Sequence, residues 1–455
     1  MLFSSVEFIF FFLPLSLTVY FTVPHRVRNL VLLICSLLFY GWGEPRYLLL
    51  MAVTVTANYL FGLLVAQKRT PIRLGIATAF NLFVLGFFKY YDLFASAVGL
   101  PLWGGGLPVG ISFYTFQALS YVIDVYRGQP AVGSPVAFGT YITMFPQLVA
   151  GPIVRYSQIR EELFFRRFSS PRAAYGALRF IAGLSKKVLL ANPAGEVYGH
   201  FAALSGNGLS VLGAWTGAVF YAFQIYFDFS AYSDMAVGLG HILGFSFPEN
   251  FNYPYCATSI KDFWSRWHIS LSSWFREYVY IPLGGNRKGL GRTLFNMLTV
   301  WSLTGLWHGA SWNFLLWGLY YFLLLTMERL FLNRLLQKLP VLLRRVYALA
   351  LITVGWVLFA NTDLSLTLSY LAAMLGNASP IGAGDVYEIT RNAVPLCIMT
   401  VACTPWLKNR LARLWEKNSP RPARVALLVG APLLLILCTA YLADASYNPF
   451  LYFRF

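Results

Sequence analysis

Thirteen apolar runs follow one another along the chain, at roughly 6–23, 29–42, 47–66, 72–99, 109–126, 136–150, 173–200, 209–227, 293–309, 311–333, 346–360, 391–407 and 424–442. A helix crosses the hydrocarbon of a bilayer in about 17–25 residues, and most of these runs meet that length. Two of them, 29–42 and 136–150, are short and read as tilted or re-entrant pieces. The remainder predict an all-α polytopic membrane protein of about eleven spans. Composition closes off the soluble alternative. Of 455 residues, 58% are hydrophobic and 12% charged, more apolar area than one water-soluble core can hold.

Charge sets the expected orientation. The 35 Lys and Arg outnumber the 18 Asp and Glu, yet they fall in short clusters between apolar runs rather than in one patch for nucleic acid. Arg26 and Arg28, Lys68 to Arg73, Arg155 to Arg172, Arg266 to Arg292, Arg329 to Arg345 and Lys408 to Arg424 form the basic connections. The segments Gly99 to Gly110, Asn361 to Ser365, Gly376 to Glu388 and the tail from Asp444 are neutral or acidic. This alternation predicts basic connections in the cytoplasm, both termini outside and an odd number of crossings. No basic residue precedes Arg26, so the first run reads as a retained span rather than a cleaved signal. The five cysteines are scattered, with neither disulfide nor metal-ligand spacing.

No fixed-period repeat is evident, and the polar stretches are too short for a soluble domain. The chain is read as one transmembrane domain, 1–455. Its N-terminal helices span 1–130, a motif-bearing core spans 131–340, and C-terminal helices span 341–455.

The informative residues are the ionisable groups that apolar surroundings should have expelled. His308 lies in Val300-Trp301-Ser302-Leu303-Thr304-Gly305-Leu306-Trp307-His308-Gly309-Ala310. Gly305, Gly309 and Ala310 are expected to leave space beside its ring for an acyl chain or a hydroxyl. A neutral imidazole there can serve as general base for a hydroxyl attacking a thioester, or it can simply bond a neighbouring carbonyl. His268 lies in a segment expected to form one amphipathic interfacial helix, about 260–280. At 100° per residue, Asp262, Arg266, Ser273 and Glu277 share one face of it, and Trp264, Trp267, Leu271, Trp274, Phe275 and Tyr278 the other. That tryptophan stripe reads first as a membrane anchor. The turn Ile281 to Gly289, with Asn286, Arg287 and Lys288, offers glycines and bases but matches no phosphate-loop fingerprint. Asp228 and Asp234 sit in an aromatic run, six apart, a spacing that opposes a shared helix face. They read as partners of buried Arg or as tunnel lining. Cys256 has nothing beside it in sequence to lower its pKa.

No Gly-x-Ser-x-Gly elbow, His-Glu-x-x-His or paired-acid metal motif is present. The sequence thus offers no evident covalent nucleophile, and no metal or bound cofactor is expected.

Phe263-Trp264-Ser265-Arg266-Trp267-His268-Ile269-Ser270-Leu271-Ser272, the turn Ile281 to Gly289, and Gly305-Leu306-Trp307-His308-Gly309-Ala310 resemble the membrane-bound O-acyltransferase superfamily, in its bacterial alginate-acetylating branch. The similarity extends to Met1 to Phe12, Pro108 to Tyr114, Ile123 to Gly128, Ala150-Gly151-Pro152, Tyr226 to Gly240 and Ser446 to Phe453. Ser265 and Glu277 stand where relatives often carry Arg and Asp. The resemblance implies a funnel-like helical fold around a central tunnel. It makes His308 the active-site histidine and His268 the second motif histidine. Trp264, Arg266, Trp267, Asp228, Asp234, Trp307, Asn286 and Arg287 become candidate substrate contacts. It further implies acetyl-CoA or another acyl thioester as donor, drawn to a basic surface of Arg155, Lys186, Lys187, Arg266, Arg287 and Lys288. An extracytoplasmic SGNH-hydrolase-type partner would complete O-acetylation of an exported polysaccharide: alginate, cellulose, peptidoglycan or another glycan. The expected location is the bacterial inner membrane. A histidine-gated transporter and a non-catalytic scaffold are the competing classes.

Overall fold

The computed structural model describes residues 1–206, 208–406, 409–410, 420–444 and 451. The tail Ser446 to Phe453, apart from Leu451, and much of the basic segment Lys408 to Arg424 lie outside the described residues. All described regular structure is helical. The chain folds as two compact units. The first comprises Met1–Leu184 and Tyr232–Glu249, the second Ser185–Ala231 and Asn250–Phe455.

The first unit contains α1 (Leu13–Thr22), α2 (Arg28–Gly43), α3 (Leu48–Gln67), α4 (Pro71–Val98), α5 (Ile111–Tyr126), the short α6 (Pro135–Thr143), α7 (Phe145–Leu148) and α8 (Tyr156–Ile159), and most of α9 (Ser170–Ser185). The run expected at 136–150 is broken at Met144. Every residue of α6 from Ala137 onward is buried, so this piece is internal rather than a span. A π-helical turn, Phe8–Phe12, precedes α1. Its rings join Phe3, Phe39 and Phe145, and Phe3 stacks on Tyr232 at 4.4 Å. Aromatic pairs of this kind add roughly 0.5–1.5 kcal/mol beyond area burial. Between α3 and α4 the buried Asn58 and Asn81 amides bond each other reciprocally at 3.0 and 2.7 Å, interhelical polar contacts of the sort that join spans in lipid.

The second unit contains α10 (Asn192–Ala203), the start of α11 (Val211–Leu243), α12 (Ile260–Arg266), α13 (Ile269–Phe275), α14 (Gly289–His308), α15 (Trp312–Met327), α16 (Asn333–Leu336), α17 (Val341–Ala360), α18 (Leu364–Met374), α19 (Asp385–Arg391), α20 (Ala393–Ala402) and α21 (Pro420–Asp444). Helix α11 runs well beyond the apolar run expected to end at 227, carrying both aspartates inside it. Helix α18 was not foreseen, because its 11 residues are too few for a span.

Among the described residues, four helices are long and apolar enough to cross a membrane by length and composition: Pro45–Gln67, Pro71–Val98, Trp312–Leu336 and Val341–Ala360. Shorter apolar helices include Phe8–Thr22, Ala393–Ala402 and Val429–Asp444.

The close pairing of α14 with α15 fixes the position of His308. A Cβ on Gly305 would collide with the Phe314 carbonyl, and one on Gly318 with the Trp301 carbonyl. The two glycines therefore let the backbones meet, as small residues do between membrane helices. The space expected beside His308 is accordingly absent. Gly305 is filled by the α15 backbone and Gly309 by the Phe314 ring.

Candidate functional site

The amphipathic helix expected over 260–280 is two helices. The chain breaks at Trp267 and His268, and His268 takes a left-handed φ of 45°. A non-glycine residue in that region costs on the order of 1–3 kcal/mol, so the surroundings must impose it. They do so through the segment Asn250 to Asn252, which lies alongside the break. Asn252 N–H donates to Arg266 O at 2.9 Å, and Ile269 N–H donates to Asn250 O at 3.0 Å. The tryptophan stripe is no membrane anchor, for Trp264, Trp267 and Trp274 are all buried within the protein.

The same asparagine fixes the imidazole. His268 is 1% exposed, and its Nδ1 lies 3.2 Å from Asn250 Oδ1. That oxygen also accepts from Ser270 N–H at 3.2 Å and from Ser270 Oγ at 2.9 Å. Because a backbone N–H points at it, the atom must be the amide oxygen, and His268 Nδ1 must carry the proton. Nε2 is then the acceptor nitrogen of the ring. Burial pushes the His268 imidazole down to about 3, which keeps it neutral at physiological pH.

His308 ends α14 and is 4% exposed. Trp307, Trp317 and Phe359 stand edge-on around it, with ring centroids at 5.0, 5.1 and 5.1 Å. Trp307 is also 6.0 Å from His268. The structure thus gathers His268, Trp307 and His308, with both imidazoles edge-on to one indole. Trp264 extends the same wall. It packs 4.7 Å from Trp301, 4.9 Å from Tyr321 and 5.6 Å from Trp317. Trp267 packs 4.7 Å from Trp356.

The other candidates are placed differently. Arg266 Nε bonds Asp262 Oδ1 at 2.7 Å on the half-exposed side of α12. Asp228 is buried and pairs with Lys187 Nζ at 2.7 Å, while its second oxygen accepts Leu451 N–H at 2.8 Å. Lys187 therefore belongs to the interior and not to the basic surface expected of it. It sits in the π-helical turn Lys186–Ala191. Phe229, next to Asp228, meets His268 edge-on at 4.7 Å. In the first unit Asp234 pairs with Arg179 at 2.8 Å, and Arg179 is also bonded by Glu249. Asn286 and Arg287 are exposed. The N–H groups of Gly284, Gly285 and Arg287 bond Ile281 O, Tyr280 O and Gly284 O within the turn, which leaves them unavailable to cradle a phosphate.

Sequence reasoning missed Asn250 and Glu328. Buried Glu328, in the π-helical turn after α15, accepts from Ile260 N–H at 2.7 Å and Lys261 N–H at 3.0 Å. It caps the helix that carries Trp264 with a charge of the favourable sign. An acidic residue inside the apolar run 311–333 was the available signal. Asn250 had none, since its partners lie about 20 residues away. Among the described residues no group of three or more His, Cys, Asp or Glu gathers in a metal-ligating cluster.

The comparisons with known proteins place the whole chain. The family model for the membrane-bound O-acyltransferase family matches residues 22–373. A probable alginate O-acetylase of Azotobacter vinelandii is 42% identical over 82% of this chain and 78% of that protein. A probable alginate O-acetylase of Pseudomonas putida is 37% identical over the full length of both. The peptidoglycan O-acetyltransferase of Helicobacter pylori is 31% identical over 100% of this chain and 98% of that protein. A multi-pass acyltransferase, helical throughout its described regular structure, the chain belongs to the membrane-bound O-acyltransferase family.

Proposed function

We propose that this chain transfers an acetyl group from a cytoplasmic thioester toward an exported polysaccharide, in an alginate-type system. The observation that carries the reading is the pair of buried imidazoles sharing Trp307, with His268 locked as a neutral tautomer by Asn250. His308 accepts the proton of the incoming hydroxyl as its oxygen attacks the thioester carbonyl. The carbon–sulfur bond then breaks, and the leaving thiolate takes that proton back from the imidazolium. His268 packs against the indole that contacts His308 and holds its position. Trp307, Trp317 and Phe359 enclose the reacting ring, so reactants enter by displacing one of these side chains.

Acetyl-CoA suits the donor role, with Arg266, Arg287 and Lys288 supplying cationic attraction to its phosphates. The hydroxyl is presented through an SGNH-hydrolase-type partner outside the membrane. About eleven crossings of the inner membrane, with the N-terminus outside, fit the charge alternation. A second acceptor, peptidoglycan, is favoured by the end-to-end similarity to the Helicobacter pylori enzyme.

The test is His308→Ala, with polymer acetyl content measured in the native host at matched protein levels. Loss of acetylation with normal membrane assembly is expected. Unchanged acetyl content would refute the assignment.

A further inference from the structure

A cleft of about 290 Å³ opens in the second unit between α11, α17 and α20, walled by Val219, Phe223, Leu349, Thr353 and Cys403. It is overwhelmingly apolar in its lining, and its volume approaches the lower end of small-ligand sites, about 300 Å³. One end continues into a second recess of about 240 Å³ lined by Trp406, Asn409 and Arg410. The two share Cys256, Arg345 and Thr404. Greasy interior and cationic mouth are therefore one continuous feature.

The mouth carries two guanidiniums. Among the described residues, no carboxylate lies within salt-bridge distance of Arg345 or Arg410. Both belong to basic segments that the charge bias assigns to the cytoplasmic side, where the leaflet is rich in anionic lipid. Trp406, largely exposed at the same mouth, is the residue type that settles at headgroup level. Cys256 does not offer a competing covalent role. Burial pushes its thiol up, the nearby Arg345 only partly reversing this.

We propose that this cleft holds one anionic membrane phospholipid, its phosphate between Arg345 and Arg410 and an acyl chain in the apolar part. Arginine forks bind phosphate with geometric fit, and two guanidiniums at the end of an acyl-sized slot match a phospholipid's division into charged head and apolar tail. The occupant would press on Tyr255, whose hydroxyl accepts from Trp356 Nε1 at 3.1 Å. Trp356 in turn packs on Trp267, so the lipid braces the wall behind the histidine site.

The experiment is native mass spectrometry of the purified full-length chain, titrated with phosphatidylglycerol or with phosphatidylcholine of identical acyl chains. Acetyl-CoA is added in excess in a separate arm. Retention of phosphatidylglycerol about tenfold above phosphatidylcholine is expected, with the preference lost in Arg345→Ala/Arg410→Ala, since charge-assisted contacts to phosphate are the strong ones. Leu349→Trp, which fills the cleft from its exposed side, should lower retention of the lipid while both arginines remain. Equal retention of the two lipids, an unaltered preference in the double variant, or undiminished retention in Leu349→Trp would overturn the proposal. Displacement of phosphatidylglycerol by acetyl-CoA would also overturn it, reassigning the cleft to a donor.

Discussion

His268 Nδ1 lies 3.2 Å from Asn250 Oδ1, a contact that sets the tautomer of a buried imidazole, while the Asn250 carbonyl accepts Ile269 N–H at the backbone break that carries it. Replacing Asn250 by Ala removes the acceptor and frees the ring to turn. Misplacement of a site group by about 1 Å can lower turnover by about 10²-fold. Asn250→Ala should show a loss of that order in acetylation rate, with Asn250→Asp recovering part of it because a carboxylate still accepts from Nδ1–H. A pure packing role would predict equal losses from both variants.

Burial holds the His268 imidazole at about 3, against an unfolded value of 6.5. The folded state therefore binds fewer protons than the unfolded chain between those two values, so stability rises with pH across that window. The contribution is fully present above about pH 6.5 and is lost as the pH falls toward 3. Thermal unfolding of the detergent-purified protein should move to lower temperature on acidification through this range. His268→Gln should flatten that dependence, and an identical slope in the variant would remove His268 as its source.

The pattern of apolar runs was enough to announce a multi-pass helical protein, because hydropathy integrates over whole helices. The two histidines stood out in the sequence as ionisable groups among apolar residues, and the structure buries both. What escaped was everything that depends on a distant partner. Lys187 was read as surface charge because its neighbour Lys186 and the basic-loop bias pointed outward, whereas Asp228, 41 positions on, draws it inside. The 260–280 segment has a continuous helical periodicity, but Asn250 to Asn252 supply backbone bonds that reward a break. Local pattern carries no trace of such pairings.

Gly305 was expected to leave space beside His308, and instead it joins Gly318 in letting α14 and α15 touch. Gly318→Val would insert a branched side chain against the Trp301 carbonyl. Overpacking of this kind costs about 1–3 kcal/mol, and the displaced helix would move Trp317 off His308. Gly318→Val should lower the thermal midpoint and acetylation together. Leu323→Val, on the exposed face of the same helix, should leave both near wild type. Retained activity in Gly318→Val would show that the helix contact does not position Trp317.

Lys187 and Asp228 form a buried ion pair whose carboxylate also holds Leu451 N–H. Removing one member strands the other charge, at about 3–5 kcal/mol, while replacing both by apolar residues of similar volume is often neutral. Asp228→Leu alone should therefore unfold at markedly lower temperature, and Lys187→Met/Asp228→Leu should regain most of the loss. Activity separates the two roles of the pair. Phe229 lies one residue from Asp228 and packs on His268. If the pair only stabilises, the double variant acetylates normally. If it also registers Phe229 against the imidazole through the Leu451 clasp, the double variant stays stable but slow, and the second outcome is the one expected.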